Sequence, residues 1–312
     1  MSGSGRSFTT VRYDLRPAKQ VERLMLIDAF KRLDRAGLPI SSYRYVGMGS
    51  VHFYDFILFH RYLGIHKMTS AEINQDIKKR VRFNQPFSCV EIDMRAIGDV
   101  VDDIPADERV VLWLDYDDRL ERFHLEDFGR ALGRLAVGSL ILFTIDLEPP
   151  RIAGVDADAF YRQRLGNLVP RHWTKSRFAP SGIQRTVSSL IDRTVRNALH
   201  GRAGVTFEPI VQFTYRDGHR MLSLGGVIAT DHERKLIAAS ELDEERYYRG
   251  SLDSPPFDIH VPVLTRRERL YLDTNMPARA SWKPSAFELS TKDLQAYRDI
   301  YRFTPLFAEL LA

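Results

Sequence analysis

The sequence predicts a doubly wound α/β fold: a mostly parallel sheet closed by an antiparallel hairpin, preceded by a helix and followed by a helical appendage. Three observations predict it. Short apolar runs ending on an acidic or polar residue alternate with helix-length amphipathic runs, the order that a parallel sheet with helical crossovers requires. The first of these runs breaks into a glycine-bearing turn and then an aromatic-rich stretch, YRYVGMGSVHFYDF over residues 43–56. Late in the series, two β-rich runs within residues 205–230 flank an Asp217-Gly218 turn, a hairpin signature.

In chain order, residues 17–36 carry Val21, Leu24, Met25, Ile27, Ala29, Phe30 and Leu33 at amphipathic-helix spacing, with Pro17 in the first turn. This helix is expected to cover one face of the sheet, with Arg16 at its start, where an arginine could reach a ligand cleft. After the first strand, Gly47 and Gly49 lack the Cβ that would hold backbone away from a ribose or phosphate, and Ser50 is placed to cap the next helix. The plainer alternative for Gly47 is a turn residue. Residues 66–74 read as a strand closing at Glu72, followed by the helical QDIKKRVRFN. Residues 87–93 read as a strand closing at Asp93. Residues 109–118, RVVLWLDYDD, are apolar enough to be buried on both faces and close at Asp115. The helical LEDFGRALGRLA then introduces the strand GSLILFTIDLE at 138–148. Ligands of such sheets sit outside the carboxyl ends of the strands.

In this order the residues resemble the class I S-adenosylmethionine-dependent methyltransferases, a Rossmann-like superfamily, over roughly residues 40–230. The resemblance implies S-adenosylmethionine as cofactor. It matches Gly47, Gly49 and Ser50 to the turn against the methionine part, Glu72 to the acid that holds the ribose hydroxyls, and Asp93 to the position beside the adenine. Asp115, Tyr116 and Asp117 match the acidic motif facing the acceptor, and the terminal hairpin is also a family feature. Two departures stand out. Tyr43, Arg44 and Tyr45 precede the glycines where the family usually carries an acid, and Val51 follows Ser50 where a third glycine is common. The LDYDD run is also not the Asn/Asp-Pro-Pro-aromatic box of base-amine methyltransferases, which disfavours that activity.

Asp115 and Asp117 alternate across an extended backbone, so both flank one cleft only if the strand ends between them. A carboxylate there could orient an acceptor hydroxyl or amine, take its proton, or hold a divalent cation with Asp118. Otherwise it is a helix cap or a salt-bridged loop residue. His52, near Tyr54 and Asp55 at the start of the first core helix, is a candidate proton carrier or simply an exposed helix-start histidine. Phe53, Phe56, Phe59 and Tyr62 are expected to pack as core and rim.

The chain of 312 residues, 44% hydrophobic, suits one large core, divided as an N-terminal helical cover (1–40), the core (41–230) and a C-terminal helical appendage (231–312). No apolar run approaches the ~20 residues that span a bilayer, and the polar MSGSGRSFTT start lacks a secretory core, so a cytoplasmic protein is expected. The single Cys89 lies in a predicted strand and reads as a buried small hydrophobe, and no cysteine-based zinc site exists. A net charge of +4 does not by itself indicate nucleic acid. Basic residues nevertheless concentrate after the fifth strand, with Arg171, Lys175 and Arg177 interleaved among Tyr161, Trp173 and Phe178. This is either a DNA- or RNA-binding surface or a solvated helical face.

These readings favour a divergent methyltransferase-like enzyme acting on nucleic acid or another large acceptor. The alternative is a cofactor-independent DNA glycosylase acting on modified phage bases, with a flipped base among Tyr45, Phe53, Tyr54 and Tyr116 and water activated by Asp115 or Asp117. A role in antiviral defence is compatible with either. A third reading is a non-catalytic binding protein with a vestigial pocket.

Overall fold

The protein is described from a computed structural model covering residues 16–150 and 156–305. The described residues form one eight-stranded sheet in the order β3-β2-β1-β4-β5-β7-β6-β8. The strands are β1 (Arg44–Gly47), β2 (Lys67–Ala71), β3 (Val90–Asp93), β4 (Val110–Arg119), β5 (Leu140–Asp146), β6 (Thr206–Asp217), β7 (His219–Ala229) and β8 (Phe257–Ile259). Strands β1 to β5 run parallel, β7 lies antiparallel between β5 and β6, and β8 is parallel to β6. The Rossmann-like arrangement and terminal hairpin are those the sequence predicts. The winding reverses between β1 and β4, which opens a crevice at their carboxyl ends.

The helices are α1 (Pro17–Arg35), α2 (Tyr54–Leu63), α3 (Lys78–Phe83), α4 (Ile97–Asp102), α5 (Arg122–Arg134), α6 (Ala157–Leu165), α7 (Ile183–Leu199), α8 (Asp231–Ala239), α9 (Arg266–Asn275) and α10 (Thr291–Ile300). Successive side chains of β4 point to opposite faces. Trp113 joins Met25 and Phe30 of α1 and Phe56 and Phe59 of α2, whereas Leu112 and Leu114 join Leu125 and Phe128 of α5 and Ile191 of α7. Strand β5 is buried along its whole length, which explains its unbroken apolar sequence.

Two features differ from the sequence expectation. The segment after residue 230 is not only helical: Phe257–Ile259 adds β8 to the sheet edge, although α9 and α10 also share a small core of their own around Leu272, Leu294 and Tyr297. Helix α1 does not present a simple polar outer face, because Lys19, Glu22 and Arg23 are buried with its apolar stripe. Residues 306–312 of the appendage and the polar start lie outside the described residues. Among the described residues, no helix is long and apolar enough to cross a membrane.

The hairpin anchors α1. Asp217, at the end of β6, accepts the N–H groups of Ala18 (3.2 Å) and Lys19 (2.9 Å), so its charge meets the positive end of the helix and satisfies two donors with no intrahelical partner. We expect Asp217→Ala to cost about 1 kcal/mol in urea unfolding, and Asp217→Asn less. An unchanged midpoint in the alanine variant would show that this contact does not hold α1.

Candidate active site

A cleft of about 330 Å³ opens at the carboxyl ends of β1, β2 and β4. Its size lies at the lower end of the roughly 300–1,000 Å³ range of small-molecule sites. Gly49, Ser50 and His52 line it from the turn after β1, and Tyr54 and Asp55 from the start of α2. Glu72 enters from the end of β2, and Arg95, Ala96 and Ile97 from the segment after β3. Asp115, Tyr116, Asp117 and Asp118 form the β4 wall, Phe123, His124 and Asp127 come from α5, and Arg23 reaches in from α1. Gly49, Ser50, His52, Glu72, Asp115, Tyr116 and Asp117 are thus brought together. Gly47, Asp93, Arg171, Lys175 and Arg177 are not among the lining residues.

The glycine turn is tight for an internal reason. A Cβ on Gly47 would collide with the Tyr45 hydroxyl, which donates to the buried Asp55 carboxylate. A Cβ on Gly49 would stand 2.6 Å from the Phe53 ring and 2.8 Å from Ser70 Oγ, which already accepts the Gly49 N–H at 3.1 Å. Ser50 does not cap the helix. It sits at φ +49° in the turn, and α2 begins only at Tyr54, with Phe53 at φ +51° as its left-handed cap residue and the Phe53 N–H bonded to Gly49 O at 2.8 Å. His52 consequently precedes the helix and stacks on Tyr54, 5.5 Å between ring centroids.

Glu72 follows β2 directly, and its carboxylate accepts the Asn74 N–H at 2.8 Å, while burial pushes its pKa up. Asp93 itself is not among the lining residues. Its carboxylate holds the Arg95 guanidinium at 2.6 and 2.9 Å, and that hydrogen bonding keeps its pKa below the usual range. The position after β3 is supplied to the cleft by Arg95, Ala96 and Ile97 instead.

Four consecutive residues of β4 line one cleft because the strand is irregular there. Asp115 pairs with Thr144 and Arg119 with Asp146, so four steps along β4 pass against two along β5. The strand therefore does not stop between Asp115 and Asp117, and the register break does what an early end was expected to do. Asp115 accepts the Lys19 ammonium at 2.9 Å. Burial would raise the Asp115 pKa, but Lys19, Arg23 and Arg16 outweigh it and hold the carboxylate below its ordinary value. Lys19 also meets Glu22 at 2.9 Å and the Tyr215 hydroxyl at 3.2 Å, with its ammonium 4.4 Å from the Trp113 ring centroid. Burial alone would lower its pKa; Asp115 and Glu22 reverse the shift and keep it charged.

The far wall is different. Burial first, then the charges of Asp117, Glu121 and Asp146, push the Asp118 pKa up. Tyr116 donates to Asp127 at 2.8 Å, and burial raises the pKa of both. Burial drives His124 down to about 3, and its Nδ1 accepts the Glu121 N–H at 3.1 Å, so the ring is neutral with its proton on Nε2. Among the described residues no group of three or more His, Cys, Asp or Glu is placed to hold a metal ion.

The basic segment lies apart from the cleft. Lys175 pairs with Asp156 at 2.9 Å, the Arg177 guanidinium lies 4.4 Å from the Trp173 ring centroid, and Tyr161 and Phe178 are buried and stacked on each other. Those two aromatics are core, not a platform for bases. Sequence reasoning missed Lys19 and Arg23, the α5 wall of Phe123, His124 and Asp127, and the Arg95–Ile97 segment. The available signal was the spacing of Lys19, Glu22 and Arg23, which places all three on one helix face.

Residues 11–312 match the family described as "Putative O-methyltransferase". No curated protein matches. Solved structures with a similar course include an O-methyltransferase from Bacillus cereus in complex with SAH, at 13% identity over 72% of this chain and 86% of that one, with a TM-score of 0.41. A "probable spermidine synthase" from Corynebacterium glutamicum is 12% identical over 77% and 82% of the two chains, TM-score 0.42. The Methanococcus jannaschii fibrillarin pre-rRNA processing protein is 7% identical over 61% and 68%, TM-score 0.36. Likenesses this distant assign neither substrate nor partner.

Removing Lys19 takes the paired cation from the buried Glu22 and the partly buried Asp115. We expect Lys19→Met to cost about 3–5 kcal/mol in urea unfolding. Because Asp115 has a lowered folded pKa, its pairing adds stability above the unfolded carboxylate value of about 4 and loses it as the pH falls further. That part of the acid slope should vanish in Lys19→Met, and a loss under about 1 kcal/mol would contradict this account.

Proposed function

The chain belongs to this O-methyltransferase family, and from that premise we propose that it transfers a methyl group from S-adenosylmethionine to a hydroxyl of an acceptor bound against the β4 wall of the cleft. Its cofactor is S-adenosylmethionine, which supplies a methyl group on a positively charged sulfur. The observation that carries the placement is that Gly49, Glu72, Asp115 and Asp117, from three different strand ends, line one cleft at the reversal of the sheet. Glu72 is in place to accept from ribose hydroxyls, Gly49 and Ser50 to lie along the methionine part, and Ala96 and Ile97 to flank the adenine.

Methyl transfer depends chiefly on alignment of the two reacting groups, so the protein's task is largely positional. The acceptor's hydroxyl proton must still leave, and Asp115 is a poor recipient because Lys19 holds it ionised. Asp118, with its raised pKa, and Asp117 beside it suit that role better. Tyr116, tied to Asp127, and the neutral His124 shape the wall, and His52 borders the turn on the opposite side. The commitment of Asp115 to Lys19 also argues against its activating water, which leaves Asp117 alone for that role in the glycosylase alternative.

A nucleic-acid acceptor would bring phosphates toward Glu72, Asp117 and Asp118, and Lys175 of the basic segment is paired with Asp156. These charges favour a neutral or cationic hydroxyl compound. In calorimetry with S-adenosylhomocysteine, Glu72→Ala should weaken binding about tenfold or more, whereas Asp118→Asn should stay within about twofold of wild type. Release of S-adenosylhomocysteine should follow addition of small hydroxyl compounds and not of oligonucleotides; the reverse pattern would overturn the acceptor class. With a compound that turns over, the rate should fall on acidification as Asp118 takes up its proton, and Asp118→Asn should lose that limb.

A further inference from the structure

Arg23 is 3% exposed, yet its Nε and Nη1 have no hydrogen-bond partner, and the side chain lines the cleft. Burying unsatisfied guanidinium donors costs free energy that a ligand acceptor can recover. The carboxylates near enough to feel its charge are already engaged: Asp55 takes the Tyr45 hydroxyl and Asp115 the Lys19 ammonium. The Tyr54 ring lies on another side, its centroid 5.7 Å from the guanidinium carbon. Charge is therefore balanced around Arg23 while its hydrogen bonding is left incomplete.

We propose that Arg23 binds the carboxylate of the cofactor's amino-acid end, with Asp55 and Asp115 beside it as the negative partners for the adjacent ammonium. The assignment rests on the cofactor occupying this cleft. Guanidinium recognises carboxylate through charge-assisted hydrogen bonds, and the two flanking acids make the site complementary to a zwitterion rather than to a simple anion. Glu72 and the Arg95–Ile97 segment, carried by β2 and the stretch after β3, are left for the nucleoside. A helix outside the strand–turn core thereby completes the cofactor site.

The test compares two ligands by calorimetry: S-adenosylhomocysteine, and 5′-methylthioadenosine, which keeps the nucleoside and thioether and lacks the amino-acid group. Arg23→Met should weaken S-adenosylhomocysteine about a hundredfold and leave 5′-methylthioadenosine within about twofold, erasing the wild-type preference. Arg23→Lys, which keeps the charge without the fork, should fall between, and decides the matter if the methionine variant does not fold. Equal effects on both ligands, or no effect on either, would overturn the role of Arg23 while leaving the cleft assignment standing. If Glu72→Ala also changes neither ligand, the placement of the cofactor itself fails.

Discussion

A buried ammonium ties this structure together. Lys19 is 1% exposed and sits among Asp115 of β4, Glu22 of its own helix, the Tyr215 hydroxyl of β6 and the Trp113 ring. An uncompensated charge at that depth would cost several kcal/mol, so α1 docks favourably only where those acceptors are assembled. One of them is also a wall of the cleft. Docking the helix and setting the charge of Asp115 are consequently one event, and Arg23, four residues further along the same face, is delivered into the cleft with it. Asp217 fixes the start of the same helix from the hairpin turn, so the last part of the sheet helps to position a cleft formed by the first part.

Much of this fold was legible because its signals are local. The apolar first half of β4 and the whole of β5 are buried, the Asp217-Gly218 pair marks a hairpin, and Glu72 and Asp115 both line the crevice. Other parts were not legible for physical reasons. Strand β8 is three residues that gain their conformation from pairing with β6, with no pattern of their own. Charged residues on an amphipathic helix ordinarily face water, so Lys19, Glu22 and Arg23 look like surface until most of the circumference of the first half of α1 is seen to be covered. The register break in β4 is likewise invisible to an alternation argument, since it arises between strands.

The turn after β1 shows how a correct residue can be read for an incomplete reason. Gly47 and Gly49 are required, but the atoms that would meet a Cβ belong to Tyr45, Phe53 and Ser70, not to a ligand. The aromatic side chains fill the space behind the turn, while Gly49 and Ser50 still face the cleft. Two non-glycine residues, Ser50 and Phe53, hold left-handed backbone, at a cost on the order of 1–3 kcal/mol each. Complete burial of the Phe53 ring offsets part of that cost and makes the turn a rigid floor for the site.

The distribution of charge then argues for how the cleft divides its work. Lys19 and Arg23 enter from α1 beside Asp55 and Asp115, which balance them, whereas further along the cleft burial raises the pKa of Asp118 and Asp127 even with Arg119 and Arg130 nearby. Crowded, partly buried carboxylates favour either a bound cation or an incoming proton. Deprotonation of an acceptor hydroxyl supplies the proton, and a bound sulfonium would supply positive charge until its methyl group leaves. A polyanion would supply neither. The same asymmetry that orients a zwitterionic cofactor at one end therefore favours, at the other, an acceptor that brings little negative charge of its own.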